Sequence, residues 1–276
     1  MSMRRLGIIG SGAIASKLVE VLARQLPGPL DGLAVLTSMR SQDAARETFA
    51  PLAGTLATSV TVTPDLDAFL ACRPDLVAEC AGHESVRDYG AAILASGASL
   101  LVVSTGALCD DNLHARLGAV SSGRARLIIS AGALASLDFL AAARLSAAER
   151  VDYTARKPPL AWRGTPADAL VDLSTLREPT VFFEGDAREA ACAYPKNANV
   201  AATIALAGLG FERTRVRLMA DPTSDGNVHE IALKSSCAEI VYRIAGIPSP
   251  DNPKTSLTTA FSLAREILAE VRGVAA

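Results

Sequence analysis

The chain has 276 residues, half of them apolar and only 4% aromatic, and carries a formal net charge of −2. That length holds one large domain or two modest ones, and the absence of a Lys/Arg run excludes electrostatic capture of nucleic acid or an anionic membrane. No apolar stretch reaches the length of a membrane span, and the basic N-terminus runs directly into a strand pattern ending in glycine, unlike a secretory signal, so a cytoplasmic protein is expected.

The elements open with an apolar run at 6–9 that ends at Gly10, followed by Ile14, Leu18, Val21 and Leu22 at helical spacing, which predicts a helix over 13–25. A strand at 33–36, a helix near 44–49 and a short strand at 60–62 follow, with Pro64 in the first turn of the next helix. Strands at 76–81 and 100–103 flank a helix at 86–95. Asp110 or Asp111 caps a helix running to about 121, and 127–129 is a further strand. This β–α alternation predicts an α/β fold, a doubly wound parallel Rossmann sheet over residues 1–130.

Beyond residue 131 the pattern changes. Strands are expected at 151–156, 181–184, 216–219, 228–235 and 240–244, with a helix at 200–209. They predict a second α+β domain over 131–253, with a mixed or antiparallel sheet open on one face. Pro248, Pro250 and Pro253 interrupt the chain before a last amphipathic helix, whose stripe is Leu257, Ala260, Phe261, Ala264, Ile267, Leu268 and Val271. Segment 254–276, with a helix start at Lys254-Thr255-Ser256, is expected to return to the first sheet and complete that domain.

Gly10-Ser11-Gly12-Ala13-Ile14-Ala15 follows a strand and opens a helix, the context that makes a Gly-x-Gly-x-x-Ala motif informative. Gly10 permits the turn, Gly12 lets backbone approach a pyrophosphate, and Ala15 keeps helix and strand close. The helix start offers free N–H groups and a positive dipole end to phosphate. A nicotinamide dinucleotide is therefore expected on Gly10, Ser11, Gly12, Ala13 and Ile14. After the second strand an NAD-selective protein often carries a carboxylate; here Leu36-Thr37-Ser38-Met39-Arg40 has none. Ser38, with Thr37, can bond a 2′-phosphate and Arg40 can neutralise it, so NADP is favoured over NAD. Ala81, Ser104 and Gly106, in loops after sheet strands, complete the expected cofactor contacts. His83 reads as a crevice or plain loop histidine, and His114 as a helix-surface one.

The five cysteines (Cys72, Cys80, Cys109, Cys192 and Cys237) are odd in number and form no C-x-x-C pair, so they read as buried free thiols in a reducing compartment. Three histidines without close Cys/His spacing leave no metal site expected.

Four second-half segments are too specific for a generic sheet domain: Tyr153-Thr154-Ala155-Arg156-Lys157-Pro158-Pro159; Tyr194-Pro195-Lys196-Asn197-Ala198-Asn199 with Val200-Ala201-Ala202-Thr203; Ala220-Asp221-Pro222 through Asn227-Val228-His229-Glu230; and Asn252-Pro253-Lys254-Thr255-Ser256. With Ser130-Ala131-Gly132-Ala133 they resemble the L-aspartate dehydrogenase family, in order and spacing along essentially the whole chain. That resemblance implies NAD- or NADP-dependent oxidation of L-aspartate to iminoaspartate, which feeds NAD synthesis or hydrolyses to oxaloacetate and ammonia. It also implies a homodimer, a catalytic histidine at His229, and dinucleotide contacts at Ala133 and Asn199. The family's usual acidic residue after the second strand is missing, which weakens the case for NAD.

On a strand over 228–235, His229 shares a face with Ile231 and Leu233, and Glu230 points to the other side. A base of pKa ~7 suits removal of the substrate's ammonium proton, and the same ring can serve the water that hydrolyses the imine. A dicarboxylate needs cations and fixed donors, for which Lys196, Arg156, Lys157 and Asn197 are the candidates, and Asn199 sits at a plausible helix cap. The rival readings are a dihydrodipicolinate-reductase-like or other small-acid oxidoreductase and a dinucleotide-binding regulator without catalysis. The first is disfavoured because His229 lacks the paired histidine of that family.

Overall fold

The computed structural model describes residues 3–121, 123, 125–195, 197–249 and 252–273, with backbone alone for 248, 249 and 252–255. The chain divides into two compact units, Met1–Gly132 with Thr259–Ala276, and Ala133–Thr258.

The first unit alternates strand and helix: β1 (Arg5–Ile9), α1 (Ala13–Gln25), β2 (Leu30–Leu36), α2 (Gln42–Phe49), β3 (Ala57–Thr63), α3 (Leu66–Ala71), β4 (Leu76–Glu79), α4 (His83–Ala95), β5 (Ser99–Val102), α5 (Asp111–Val120) and β6 (Leu127–Ile129). All six strands are parallel, in the order β3-β2-β1-β4-β5-β6. The near-continuous apolar runs of β1, β2, β4 and β5 follow from burial on both sheet faces. The chain reverses its direction of travel between β1 and β4, the switch point outside whose carboxyl ends such sheets bind ligands.

Three local expectations need correction. Pro64 does not open α3, because Asp65 is the cap, accepting from the N–H groups of Asp67 and Ala68. β4 stops at Glu79: the Cys80 N–H makes the last bond to β1, at the Ile9 carbonyl, and the Glu79 side chain takes the N–H groups of Ala81 and Gly82. His83 is no loop residue; it is the first residue of α4. The helix over 13–25 lies where its apolar spacing predicts, and Asp110 is the carboxylate that caps α5.

The second unit contains α6 (Leu137–Ala143), β7 (Arg150–Lys157), α7 (Ala167–Leu170), β8 (Thr180–Asp186), α8 (Ala187–Ala193), α9 (Asn199–Ala207), β9 (Thr214–Ala220), β10 (Val228–Lys234), β11 (Glu239–Ala245) and a short pair, β12 (Pro248–Ser249) with β13 (Asn252–Ser256). Its five-stranded sheet runs β11-β10-β7-β9-β8, with β7 and β9 parallel and the other neighbours antiparallel. Val151, Tyr153, Ala155 and Lys157 share one face with Ile231, His229, Val216 and Leu218, and α8 and α9 pack against this sheet. The other face carries Arg215, Arg217, Glu230, Val241 and Arg243, and Val241 is 76% exposed. Segment 254–256 continues β13 instead of starting a helix.

The final helix, α10 (Thr258–Arg272), buries Leu263, Ala264 and Ile267 in the first unit's core beside Leu6, Leu30 and Leu33. The Met3 N–H donates to the Glu270 carbonyl, and Ser262 donates to the Gly132 carbonyl at 2.7 Å.

Candidate functional site

In the first unit, the Gly10 N–H donates to the Leu36 carbonyl at 2.8 Å, and Gly10 has φ +94°. A Cβ there would lie 3.0 Å from Ala81 Cα, Ala81 Cβ and the Cys80 carbonyl oxygen. Gly10 is thus required both by its left-handed backbone and by its approach to the end of β4. Gly12 differs: a Cβ there would meet no described atom within 4 Å. Its smallness serves no internal packing and leaves the start of α1 open to a phosphate, while Ala15 is fully buried at the helix–sheet contact. No acidic residue occupies the first turn of α1. The residues present therefore fit a dinucleotide pyrophosphate.

Around this loop, the Ser11 and Thr37 hydroxyls lie 3.0 Å apart, joining the ends of β1 and β2. Ser38 caps a short 3-10 turn, Met39–Ser41, through the Ser41 N–H. Arg40 lies exposed in this turn, without an ion pair among the described residues. Ala81 and Ser104 meet at a residue that sequence reasoning missed. Glu79 is wholly buried, and its Oε1 accepts from the Ala81 N–H (2.9 Å), the Gly82 N–H (2.7 Å) and the Ser85 and Ser104 hydroxyls; Oε2 accepts from the Ser104 N–H at 2.9 Å. One carboxylate thus holds the β4–α4 loop to the loop after β5, where Gly106 lies buried in the turn Thr105–Cys109. A carboxylate closing an apolar strand was its visible signal. Ala133 directly follows the Gly132 turn and begins the second unit.

In the second unit, His229 is 3% exposed and its Nδ1 lies 2.8 Å from the Tyr153 phenol oxygen, the two rings stacking at 6.0 Å between centroids. The register explains the meeting: His229 pairs with Ala155 and Ile231 with Tyr153, so the two rings are diagonal neighbours on one face. Burial, and then the positive charge of Lys157, push the imidazole down to about 3. Burial therefore keeps His229 uncharged at neutral pH, below the range expected of a ring poised near neutrality.

Lys157 ends β7 on this same face. Its Nζ donates to Asn197 Oδ1 at 3.2 Å and stands 5.0 Å from the centroid of buried Trp162. Burial lowers its ammonium to about 8. Asn197 was expected as a donor to substrate; here its carbonyl oxygens accept from Lys157. Arg156 faces the other way, because adjacent strand residues alternate. It donates to buried Asp221 at 3.2 Å and pairs with Glu230 at 3.6 Å, so the structure does not bring it to His229. Asp221 does more than end a strand, accepting also from the Thr223 N–H and hydroxyl. Asn199 is the first residue of α9 and the cap position belongs to Ala198. Lys196 lies outside the described residues. None of the five cysteines is in a disulfide, but they are not the buried thiols expected: Cys72, Cys80 and Cys109 are half-buried, and Cys192 and Cys237 are exposed, on an outer helix face and in a hairpin turn. Among the described residues no group of three or more His, Cys, Asp or Glu could hold a metal, and no helix is long and apolar enough to cross a membrane.

Comparison with known proteins bears on both units. Residues 10–129 match the family model "Homoserine dehydrogenase, NAD binding domain" and residues 138–269 match "Aspartate dehydrogenase, C-terminal". L-aspartate dehydrogenases of Ralstonia pickettii and Pseudomonas aeruginosa are 42% and 41% identical, each over 96% of this chain and 97% of the relative. The crystal structure of aspartate dehydrogenase from Thermotoga maritima superposes with a TM-score of 0.71 at 26% identity, covering 97% of this chain and 96% of that one. The first unit is accordingly an NAD-binding fold, and the chain belongs to the L-aspartate dehydrogenase family.

Proposed function

We propose that the protein oxidises L-aspartate at C2 with a nicotinamide dinucleotide, reversibly giving iminoaspartate and then oxaloacetate and ammonia, with NADP preferred to NAD. The observation that carries this is the juxtaposition of an uncharged His229 and a buried Lys157 cation on one sheet face, in a chain of this family. The dinucleotide is held by the 10–14 loop, with contacts from Ala81, Ser104, Gly106, Ala133 and Asn199; when bound, it supplies the hydride acceptor. Lys157, kept in place by Asn197 and Trp162, pairs with a substrate carboxylate. That carboxylate offsets the lysine charge which depresses His229 and so raises the ring's basicity when substrate is present. His229 exchanges the proton of the reacting amine or of the water that hydrolyses the imine. Arg40, unpaired among the described residues, neutralises the 2′-phosphate of NADP, with Ser38 beside it. The protein acts as a cytoplasmic homodimer. The dihydrodipicolinate-reductase-like reading is disfavoured because the other two histidines, His83 and His114, both lie in the first unit.

Purified protein given L-aspartate should generate reduced nicotinamide with NADP faster than with NAD; no turnover with either overturns the reading. His229→Ala should cut turnover on the order of a hundredfold or more. Arg40→Ala should weaken NADP and spare NAD, and equal loss for both would remove Arg40 from cofactor choice.

A further inference from the structure

Tyr153 belongs to no expected site, yet it is the polar group that His229 touches. It is 1% exposed, and its oxygen lies 2.8 Å from His229 Nδ1. A phenol carries one hydrogen, and a buried hydrogen needs an acceptor. Among the described residues Nδ1 is the acceptor in reach. Tyr242, the other phenol of this face, donates its own hydrogen to the Ala135 carbonyl at 3.0 Å and makes no hydrogen bond to Tyr153. The reverse polarity, Nδ1–H donating to the phenol oxygen, would leave the buried phenol hydrogen without a partner. Both groups are neutral, since burial raises the phenol's pKa and lowers the imidazole's, so a single proton defines the bond between them.

We propose that Tyr153 is a positioning residue that fixes the ring tautomer of His229, donating to Nδ1 so that the neutral imidazole carries its proton on Nε2. The ring's other nitrogen is then a donor toward whatever lies beyond it. Nε2 is not sealed in the core: among the described residues the buried side-chain nitrogen or oxygen without a partner is Arg156 Nε. With Nε2 protonated, the neutral ring meets the substrate as a hydrogen-bond donor to its oxygen or nitrogen, and it can take a proton from the ammonium only after its own proton has shifted to Nδ1, which narrows the part His229 plays. The tautomer stands on the geometry, and only its kinetic consequence rests on the proposed function.

The test is nitrogen NMR of the intact protein labelled with 15N-histidine, the His229 signals being identified by their loss in His229→Gln. The expected wild-type spectrum shows an unprotonated Nδ1 and a protonated Nε2 at neutral pH; a protonated Nδ1 overturns the proposal. In Tyr153→Phe the His229 signals should move toward a mixture of tautomers, and an unchanged tautomer overturns it equally. The same variant should lower kcat about tenfold, equivalent to one hydrogen bond, with KM for L-aspartate within about twofold. If Tyr153→Phe does not fold, the wild-type spectrum alone decides. If the wild-type tautomer is as stated but the protein does not turn over L-aspartate, the substrate reading fails and the positioning role stands.

Discussion

Lys157 is where function and stability oppose one another at a single residue. Its folded pKa of about 8 lies below the 10.5 of an unperturbed lysine. Below pH 8 the ammonium is charged in both states, and the folded protein bears the desolvation cost, about 3 kcal/mol from a shift of that size. Between pH 8 and 10.5 the unfolded chain holds the extra proton, so this contribution makes stability rise with pH across that window. Lys157→Met should therefore raise stability by about 2 kcal/mol at pH 7, allowing for the lost contact with Trp162, and by little at pH 10.5. It should also raise KM for L-aspartate on the order of tenfold. Urea unfolding at the two pH values, alongside kinetics, checks both; equal destabilisation at each pH would show a lysine already well solvated. The sequence offered Arg156 and Lys157 together as substrate cations; strand alternation puts them on opposite faces, but which of the two faces was covered was not legible locally.

The glycine loop gives a prediction at the scale of an element. Gly10 and Gly12 look alike in sequence and differ in what surrounds them. Gly10→Ala forces a side chain into φ +94° and against Ala81, and should cost about 1–3 kcal/mol of stability. Gly12→Val should change stability by less than about 0.5 kcal/mol, because a Cβ there meets open space. Yet it should abolish the rise in Tm that NADP produces in the wild type. Thermal melts with and without NADP test the pair; a Gly12→Val protein that melts as early as Gly10→Ala would make the loop a packing turn. This loop and α1 were legible because their signals lie within a few residues. So was the signal for α8, which sequence reasoning overlooked: Asp186 and Glu189 form a reciprocal capping box, each side chain accepting the other's N–H at 2.9 Å.

Across the whole molecule, the chain leaves the first unit, builds the second and returns. α10 supplies Leu263, fully buried among residues from the start of the chain, while Phe261 two positions earlier is 50% exposed. Leu263→Ala should cost about 2–4 kcal/mol of the first unit's stability. Phe261→Ala should be nearly neutral in the same urea unfolding experiment, and similar losses for the two would refute the observed orientation of the helix. The apolar stripe of α10 was visible in sequence, although it included Phe261 and missed Leu263, because the buried face is centred on the row of Ala260, Leu263, Ala264 and Ile267, to one side of the stripe read from spacing.

By itself the sequence determined what short-range physics controls: the alternation of strand and helix in the first unit, the turn at Gly10, a carboxylate cap at Asp110 or Asp111 and the face of β10 on which His229 lies. The tertiary structure decided who meets whom. Tyr153 reaches His229 across 76 positions, Lys157 reaches Asn197 across 40, and Glu79 reaches Ser104 across 25. Strand periodicity states which side a residue takes; the register of β7 against β10, and the helices packed on that side, state what it finds there. The shifted ionisation of His229 and Lys157 follows from the same cause, since desolvation depends on the atoms that cover a group and not on its neighbours in the chain.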